Sequence, residues 1–179
     1  MTPEIALTVL RKYSTSADLL NHAIAVAACL KHFAREFGHE EDFWESVGIL
    51  HGLVYEMFHD KAGQTFAQIA VTENLCPTMV RSIMAHGFES LSDTAPNCQM
   101  EYVFVAADQI AQFAISTERI RDFQTVKKML NNRDCEIGAT RIIKMCKKIR
   151  KTPDQMIRQC LGAINAIADR LDFQTVDDQ

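Results

Sequence analysis

Apolar residues recur along most of this chain at intervals of three and four positions, the spacing of one face of an α-helix. No segment shows the strict alternation of apolar and polar residues that is typical of a half-buried strand. The sequence therefore predicts an all-α protein with one domain over residues 1–179, a core over about 16–115 and C-terminal helices over about 116–173. The predicted helices cover about 2–13, 16–37, 41–58, 60–76, 77–87 and 98–115, then one from about 116, one that ends near 151, and one from 152.

Several helix boundaries have recognisable capping residues. Thr2 is the expected N-cap of the first helix, and Gly38 is the expected glycine after the second. Ser116 is a candidate N-cap for the helix that follows 98–115. The clearest start is Thr152, which has Gln155 three positions later and predicts a capping box.

Composition and charge exclude several classes of protein. The chain has 179 residues, a formal net charge of −4 and no strongly basic face, so we expect no nucleic-acid partner. No signal peptide and no membrane-spanning run is recognisable, and we expect a cytoplasmic protein without a membrane partner. The six cysteines form no CxxC pair, and most of them, such as Cys29, Cys146 and Cys160, are expected to be reduced, buried side chains. The pattern gives no prediction of the oligomeric state.

Four ionisable residues lie in apolar helical surroundings: His22, His51, His86 and Asp108. A carboxylate in an apolar core needs a partner, because otherwise its pKa rises and it becomes neutral. Helical bundles build metal sites from inward-facing side chains on separate helices. These residues are therefore candidates for a metal centre.

A structural interpretation of the same residues stays open. A single histidine on an apolar helix face is more often a hydrogen-bonded core residue than a metal ligand. Asp108 shares a helix face with Glu101 and Gln112, and the three could form a polar stripe. Ligands on separate helices have no diagnostic spacing, so the pattern alone does not decide between the two.

The segments around these residues resemble a known family. “LLNHAIAVAACLKHFAREFG”, “WESVGILHGLVYE”, “MAHG” and “VAADQI” are similar to the HD superfamily of metal-dependent phosphohydrolases, in particular its small bacterial single-domain members. The similarity extends to “TVKKMLNNRDCEIGATRIIK” and “AINAIADRLDF”, and so covers nearly the whole chain. It implies a single HD-domain-like helical bundle.

The resemblance also implies roles for individual residues. His22, His51 and Asp108 fall on metal-ligand positions, and His86 falls on a position that ligates a metal or faces the substrate phosphate. Imidazole and carboxylate groups suit a divalent metal. Arg141 matches a basic position and is expected to bind phosphate, whereas the neighbouring matches Lys127 and Lys128 are expected on an exposed helix face.

The sequence departs from the family pattern at three positions. Gly52 replaces the signature aspartate, Ala27 replaces a glutamate, and Ala62 replaces a later histidine. Gly52 is either a vacated ligand position or a small residue that lets another helix approach; Gly48, one turn earlier, fits close packing.

Other carboxylates could compensate for the missing aspartate. Glu56 lies one turn after Gly52 and could reach back to the site in a catalytic role, or it could make a structural contact elsewhere. Asp60 and Asp93 are loop residues that could also complete the site.

Three functional hypotheses follow. The main one is an HD-like protein with a degraded metal site that has weak or no phosphohydrolase activity and binds a small phosphorylated or anionic molecule. In the alternative, one divalent metal supports active hydrolysis of a nucleotide or another phosphoester. In the second alternative, the chain is a structural or interaction module with no small ligand.

Overall fold

The computed structural model describes residues 1–57, 66–88, 92–116, 119–132 and 136–173, with the side chains of 55–57 and 136–137 excepted. Within these ranges the all-α prediction is confirmed, and two isolated bridges, Phe88–Ser92 and Ile115–Ile120, are the only β-type pairings. The helices are α1 (Pro3–Tyr13), α2 (Ala17–Phe37), α3 (Glu41–Leu50), α4 (Gly52–Met57), α5 (Phe66–Thr72), α6 (Pro77–His86), α7 (Gln99–Ala114), α8 (Phe123–Leu130), α9 (Glu136–Lys148) and α10 (Pro153–Asn165), with a 3₁₀ turn at Ala168–Arg170.

The capping residues expected at three helix ends are confirmed. The Thr2 hydroxyl accepts a hydrogen bond from the backbone N–H of Ile5 at 3.4 Å. Gly38 ends α2 in the left-handed conformation with a φ of 73°, which glycine adopts without steric cost. Thr152 and Gln155 form both bonds of the capping box. Local sequence therefore sets these boundaries.

The predicted helix start at Ser116 is wrong. The Ser116 hydroxyl bonds to the backbone of Arg119, donating to its carbonyl at 2.8 Å and accepting from its N–H at 3.1 Å. The N-cap of α8 is Asp122, whose carboxylate accepts from the N–H groups of Gln124 and Thr125. The hydroxyl of Ser116 therefore bonds to Arg119 instead of capping a helix.

The predicted helix over 41–58 is divided at His51. The His51 N–H still bonds to the carbonyl of Val47 at 3.2 Å, but the Val54 N–H bonds only three residues back, to the His51 carbonyl, at 3.0 Å. This tighter bonding interrupts the α-helical pattern between α3 and α4. Of the predicted helix 60–76, α5 forms the described part, and 60–65 lie outside the described residues.

Helix α2 is at the centre of the bundle, as its nearly continuous apolar sequence indicates. It packs against α3, α7 and α10, and α7 in turn packs against α6 and α9. The residues Ala23–Ala27 are buried, as are Cys29 and Leu30. Polar side chains that α2 and α7 direct toward each other must therefore form hydrogen bonds with one another inside the core.

Buried thiols occupy the core side of three helices. Cys29, Cys146 and Cys160 are buried and free, as expected, whereas Cys76 and Cys98, which precede α6 and α7, are free but exposed. Burial raises the pKa of the Cys146 thiol to about 11 and raises that of Cys160. The described residues contain no helix with both the length and the apolar character needed to cross a bilayer.

Close packing of α3 on α2 depends on Gly48. A Cβ built on Gly48 would lie 2.6 Å from Cα and 2.9 Å from N of Ala27. These are backbone atoms, so they cannot rotate away. Gly48 therefore has the close-packing role that the sequence suggests, and Ala27 is a contact residue at the same crossing.

We expect Gly48→Ala to lower the free energy of unfolding by about 2–3 kcal/mol or more, because the added methyl group forces the two helices apart. The matched control is Gly162→Ala in α10, where an added Cβ would meet no described atom within 4 Å. The control should be neutral or stabilise by up to about 1 kcal/mol. Urea unfolding monitored by circular dichroism measures both, and equal effects of the two substitutions would contradict the packing argument.

Candidate metal centre

Three predicted ligands meet in the core although they come from different elements. His22 lies on α2, His51 lies between α3 and α4, and Asp108 lies on α7. The Nε2 atom of His22 is 3.0 Å from Oδ1 of Asp108, and Nε2 of His51 is 3.5 Å from the same oxygen. One ligand atom from each residue lies within 4.8 Å of the other two. This group could hold a metal ion.

The orientation of the His51 ring is set by its own helix. Its Nδ1 atom makes a short hydrogen bond with the carbonyl oxygen of Gly48. A carbonyl can only accept, so Nδ1 carries the proton and the Nε2 lone pair points toward Asp108. Metal-ligating histidines are usually fixed by such a bond from the second ring nitrogen.

The separations of the two histidines from Asp108 fit a small divalent ion. Zinc bonds of about 2.0–2.1 Å in a tetrahedral arrangement separate neighbouring ligand atoms by roughly 3.3 Å. The measured separations from Asp108 Oδ1, 3.0 Å and 3.5 Å, bracket this value. Two imidazole nitrogens and one carboxylate oxygen also form a donor set that zinc and related transition metals accept.

Asp108 is charged although it is buried. Burial raises the pKa of its carboxyl group, but the hydrogen bond from His22 and the electrostatic interactions with the neighbouring imidazoles outweigh this and hold the pKa below its usual range. His51 shows the opposite response. Burial, together with the nearby His22 and His86, lowers the pKa of His51 from 6.5 to about 3. The centre therefore combines an ionised carboxylate with a neutral imidazole, which are the ligand forms that bind metals.

His86 lies behind His51 and outside the group of three ligand atoms. Its ring stacks on Phe104 with centroids 4.8 Å apart and meets the His51 ring edge-on at 5.3 Å. Its Nδ1 bonds to the carbonyl of Ile83. Its Nε2 is buried and has no hydrogen-bond partner among the described residues. The catalytic role expected of His86 stays a prediction.

Arg141 is anchored to the end of α6. One guanidinium nitrogen, Nη2, donates to the carbonyls of His86 at 3.1 Å and Phe88 at 2.8 Å. These bonds complement the negative end of the helix and hold the backbone at His86. The phosphate-binding role expected of Arg141 stays a prediction. Lys127 pairs with Asp154 at 2.6 Å, and Lys128 is exposed.

Gly52 faces apolar side chains. A Cβ at this position would lie 3.0 Å from Leu10 Cδ1 and 3.4 Å from Leu19 Cδ2. These are mobile ends of side chains, so a larger residue at 52 requires them to move. The space that a side chain at position 52 would occupy is thus bordered closely by leucine methyl groups.

The remaining carboxylate candidates do not join the described group. The side chain of Glu56 and all of Asp60 and Ala62 lie outside the described residues, and Asp93 is exposed. Glu101 belongs to a separate network, in which it bonds Arg81, the Ser82 hydroxyl and the backbone N–H of Asn97. The proposed polar stripe along α7 is therefore divided between two networks.

The centre opens to the surface at His22. A cleft of about 430 Å³, here called the His22 cleft, adjoins a hollow of about 300 Å³. The lining of the cleft includes Asp18, His22, Gln112, Ile115, Ser116 and Arg121. Sequence reasoning did not select Asp18 or Arg121. Asp18 lies one turn before His22 and could have been found by helical spacing, whereas Arg121 lies in a turn that the sequence predicted as helix.

Comparison with protein-family models, with curated proteins and with solved structures finds no match to this chain.

We expect the metal-free protein to lose stability in acid partly through His51. The unfolded chain takes up this proton near pH 6.5, whereas folded His51 does so only near pH 3. The unfolding free energy contributed by this group therefore falls as the pH drops from about 6.5 toward 3, by up to about 1.4 kcal/mol per pH unit. Urea unfolding of chelator-treated protein between pH 7.5 and 4.5 measures the slope.

In His51→Gln, the dependence of the unfolding free energy on pH should decrease by the contribution of one proton, which is up to about 1.4 kcal/mol per pH unit. The control is His39→Gln, because His39 is exposed and its ring contacts Gln99 and Trp44 rather than the buried core. An unchanged slope in His51→Gln would contradict the assignment of a neutral, buried imidazole.

Proposed function

We propose that this chain is an HD-type helical protein that retains a reduced, single-metal centre and acts as a weak metal-dependent phosphohydrolase. The observation that carries the proposal is that His22, His51 and Asp108 each bring one ligand atom within 4.8 Å of the other two. The resemblance of the surrounding segments to HD phosphohydrolases supports the same assignment.

The ligand set favours an anionic ligand. Two neutral imidazoles and one carboxylate contribute a charge of −1, so a divalent ion would leave the centre with a net charge of +1. Three protein ligands also leave coordination positions open, which is the pattern of catalytic rather than structural zinc sites. A bound divalent ion would supply Lewis-acid chemistry and lower the pKa of water at the centre.

The chain's own residues divide the remaining tasks. His51, fixed by Gly48, and the buried Asp108 hold the inner side of the centre. His22, with 17% of its side chain exposed, forms the outer side and faces the cleft through which a ligand enters. Burial of His51 and Asp108 excludes water from the inner side, so exchange with solvent occurs on the His22 side.

Weak activity follows from Gly52. Without a carboxylate at this position, residue 52 can neither bridge two metal ions nor act as a metal ligand. The leucine methyl groups of Leu10 and Leu19 lie close to that position and offer no donor atom. Lower metal affinity and one-metal chemistry are the expected consequences.

A specific contact favours a second candidate, a metal-free binding protein. His22 and Asp108 already form a direct hydrogen bond of 3.0 Å, so the buried carboxylate is satisfied without an ion. In this case the His22 cleft would bind an anionic molecule without hydrolysing it.

Metal content separates the two candidates. We expect protein purified without a chelator or an affinity tag, then dialysed against zinc or manganese, to retain about one ion per chain. Asp108→Asn should lose the ion because it removes the charged ligand. Plasma mass spectrometry measures the content, and release of p-nitrophenol from a generic phosphodiester measures activity.

Gly52→Asp tests whether the lack of a carboxylate at position 52 causes the proposed weak activity. Restoring the carboxylate should tighten metal binding by at least about tenfold and raise the hydrolysis rate. Gly52→Asn is the matched control, because it meets the same Leu10 and Leu19 methyl groups but adds no charge. The absence of metal from both the wild type and Gly52→Asp would refute the metal-centre proposal and favour the metal-free candidate.

A further inference from the structure

The His22 cleft contains a preorganised cation. Nη1 of Arg121 donates to the carbonyls of Phe113 at 3.0 Å and Ile115 at 3.1 Å, and the Arg121 backbone N–H donates to the carbonyl of Ala114 at 2.7 Å. These carbonyls lie at the C-terminal end of α7, where a positive charge is favoured. The side chain is therefore held in place before any ligand arrives.

The anchoring leaves most of the guanidinium available. Both side-chain bonds use Nη1, and in the parts of the chain that the structure describes, Nε and Nη2 of Arg121 make no hydrogen bond. Other arginines are neutralised by carboxylates: Arg35 pairs with Glu41, and Arg81 pairs with Glu101. No carboxylate oxygen of a described residue lies within 4 Å of the Arg121 nitrogens.

These features are those of an anion site. A guanidinium presents paired N–H groups in a planar fork that matches two oxygens of a phosphate. Because the carbonyls of α7 already restrict the side chain, binding costs less conformational entropy than it would at a mobile surface arginine. The cleft also includes His22, so an anion bound by Arg121 lies beside the centre.

The same cleft also contains a negatively charged residue, Asp18. Asp18 and Gln112 line both the cleft and the adjoining hollow, and Ser16 lines the hollow. A carboxylate repels a bare anion but accepts hydrogen bonds from hydroxyl or ammonium groups. Together with Arg121, it selects a molecule that is anionic at one end and a hydrogen-bond donor at the other.

We propose that the His22 cleft binds a small phosphomonoester that bears hydroxyl or amino groups, with its phosphate on Arg121 and its donor groups on Asp18 and Gln112. The placement of the phosphate beside the centre rests on the proposed function. The roles of Arg121 and Asp18 do not, because they are defined by the cleft itself.

Phosphate binding tests the role of Arg121. Isothermal titration calorimetry with inorganic phosphate should show an affinity about 10- to 100-fold lower for Arg121→Gln than for the wild type, the range of a charge-assisted hydrogen bond. Arg119→Gln is the control: it removes the same charge two residues away, from a side chain outside the cleft lining, and should change the affinity less than twofold. The phosphate affinity of Arg121→Lys should lie between those of Arg121→Gln and the wild type. Thermal unfolding confirms that each variant is folded.

Selectivity tests the role of Asp18. The wild type should bind phosphoethanolamine more tightly than ethyl phosphate, which differs by the amino group alone. Asp18→Asn should remove this preference and strengthen the binding of inorganic phosphate. An unchanged preference in Asp18→Asn overturns the assignment of the donor end.

The experiment distinguishes failure of this proposal from failure of the metal centre when metal content is measured on the same samples. Arg121-dependent phosphate binding to metal-free protein supports the cleft assignment even if no metal binds. Equal affinities of the wild type and Arg121→Gln, or an equal loss in Arg119→Gln, overturn the cleft assignment even if the metal centre is intact.

Discussion

The contact between Gly48 and Ala27 is the constraint on which the rest of the centre depends. A side chain at Gly48 would overlap the backbone of α2, so glycine alone lets α3 lie directly against the helix that carries His22. The carbonyl of Gly48 then accepts a hydrogen bond from Nδ1–H of His51, and this bond orients the other ring nitrogen toward Asp108. One residue therefore sets both the distance between the helices and the tautomer of a ligand. The interruption of the helix at His51 follows immediately and ends the close contact.

The buried charge of Asp108 makes the group of three residues necessary for stability as well as for chemistry. An ionised carboxylate in a helical core is costly unless hydrogen bonds compensate for the lost water. His22 supplies the direct bond at 3.0 Å, and His51 lies at 3.5 Å. Removing His22 would leave the charge less compensated, so a substitution of His22 alone lowers stability together with metal binding. The informative positions are at the edge of the group, at Gly52 and in the His22 cleft.

Sequence predicted the parts of the fold that short-range chemistry decides. Thr2, Gly38 and Thr152 act within one turn of their helices, and their roles were confirmed. Ser116 and Asp122 are both good N-cap residues, and only the tie between Arg121 and the end of α7 decides between them. The anchoring of Arg141 to the backbone carbonyls of His86 and Phe88 could not be predicted, because backbone carbonyls look alike in every sequence. The convergence of His22, His51 and Asp108 has no linear spacing and was predicted from resemblance, whereas their mutual distances required the packing of three elements.

With glycine at position 52, the centre has two unlike sides. Toward Leu10 and Leu19 it is apolar and without donors, and toward the His22 cleft it is polar and open. Under the proposed function, a divalent ion would have its open positions on the polar side, because only that side admits water or a ligand. Gly52 brings no negative charge to the centre, and Arg121 places a positive charge at its opening. Under the proposed function, this distribution of charge weakens the hold on a metal ion and strengthens the attraction for an anionic ligand.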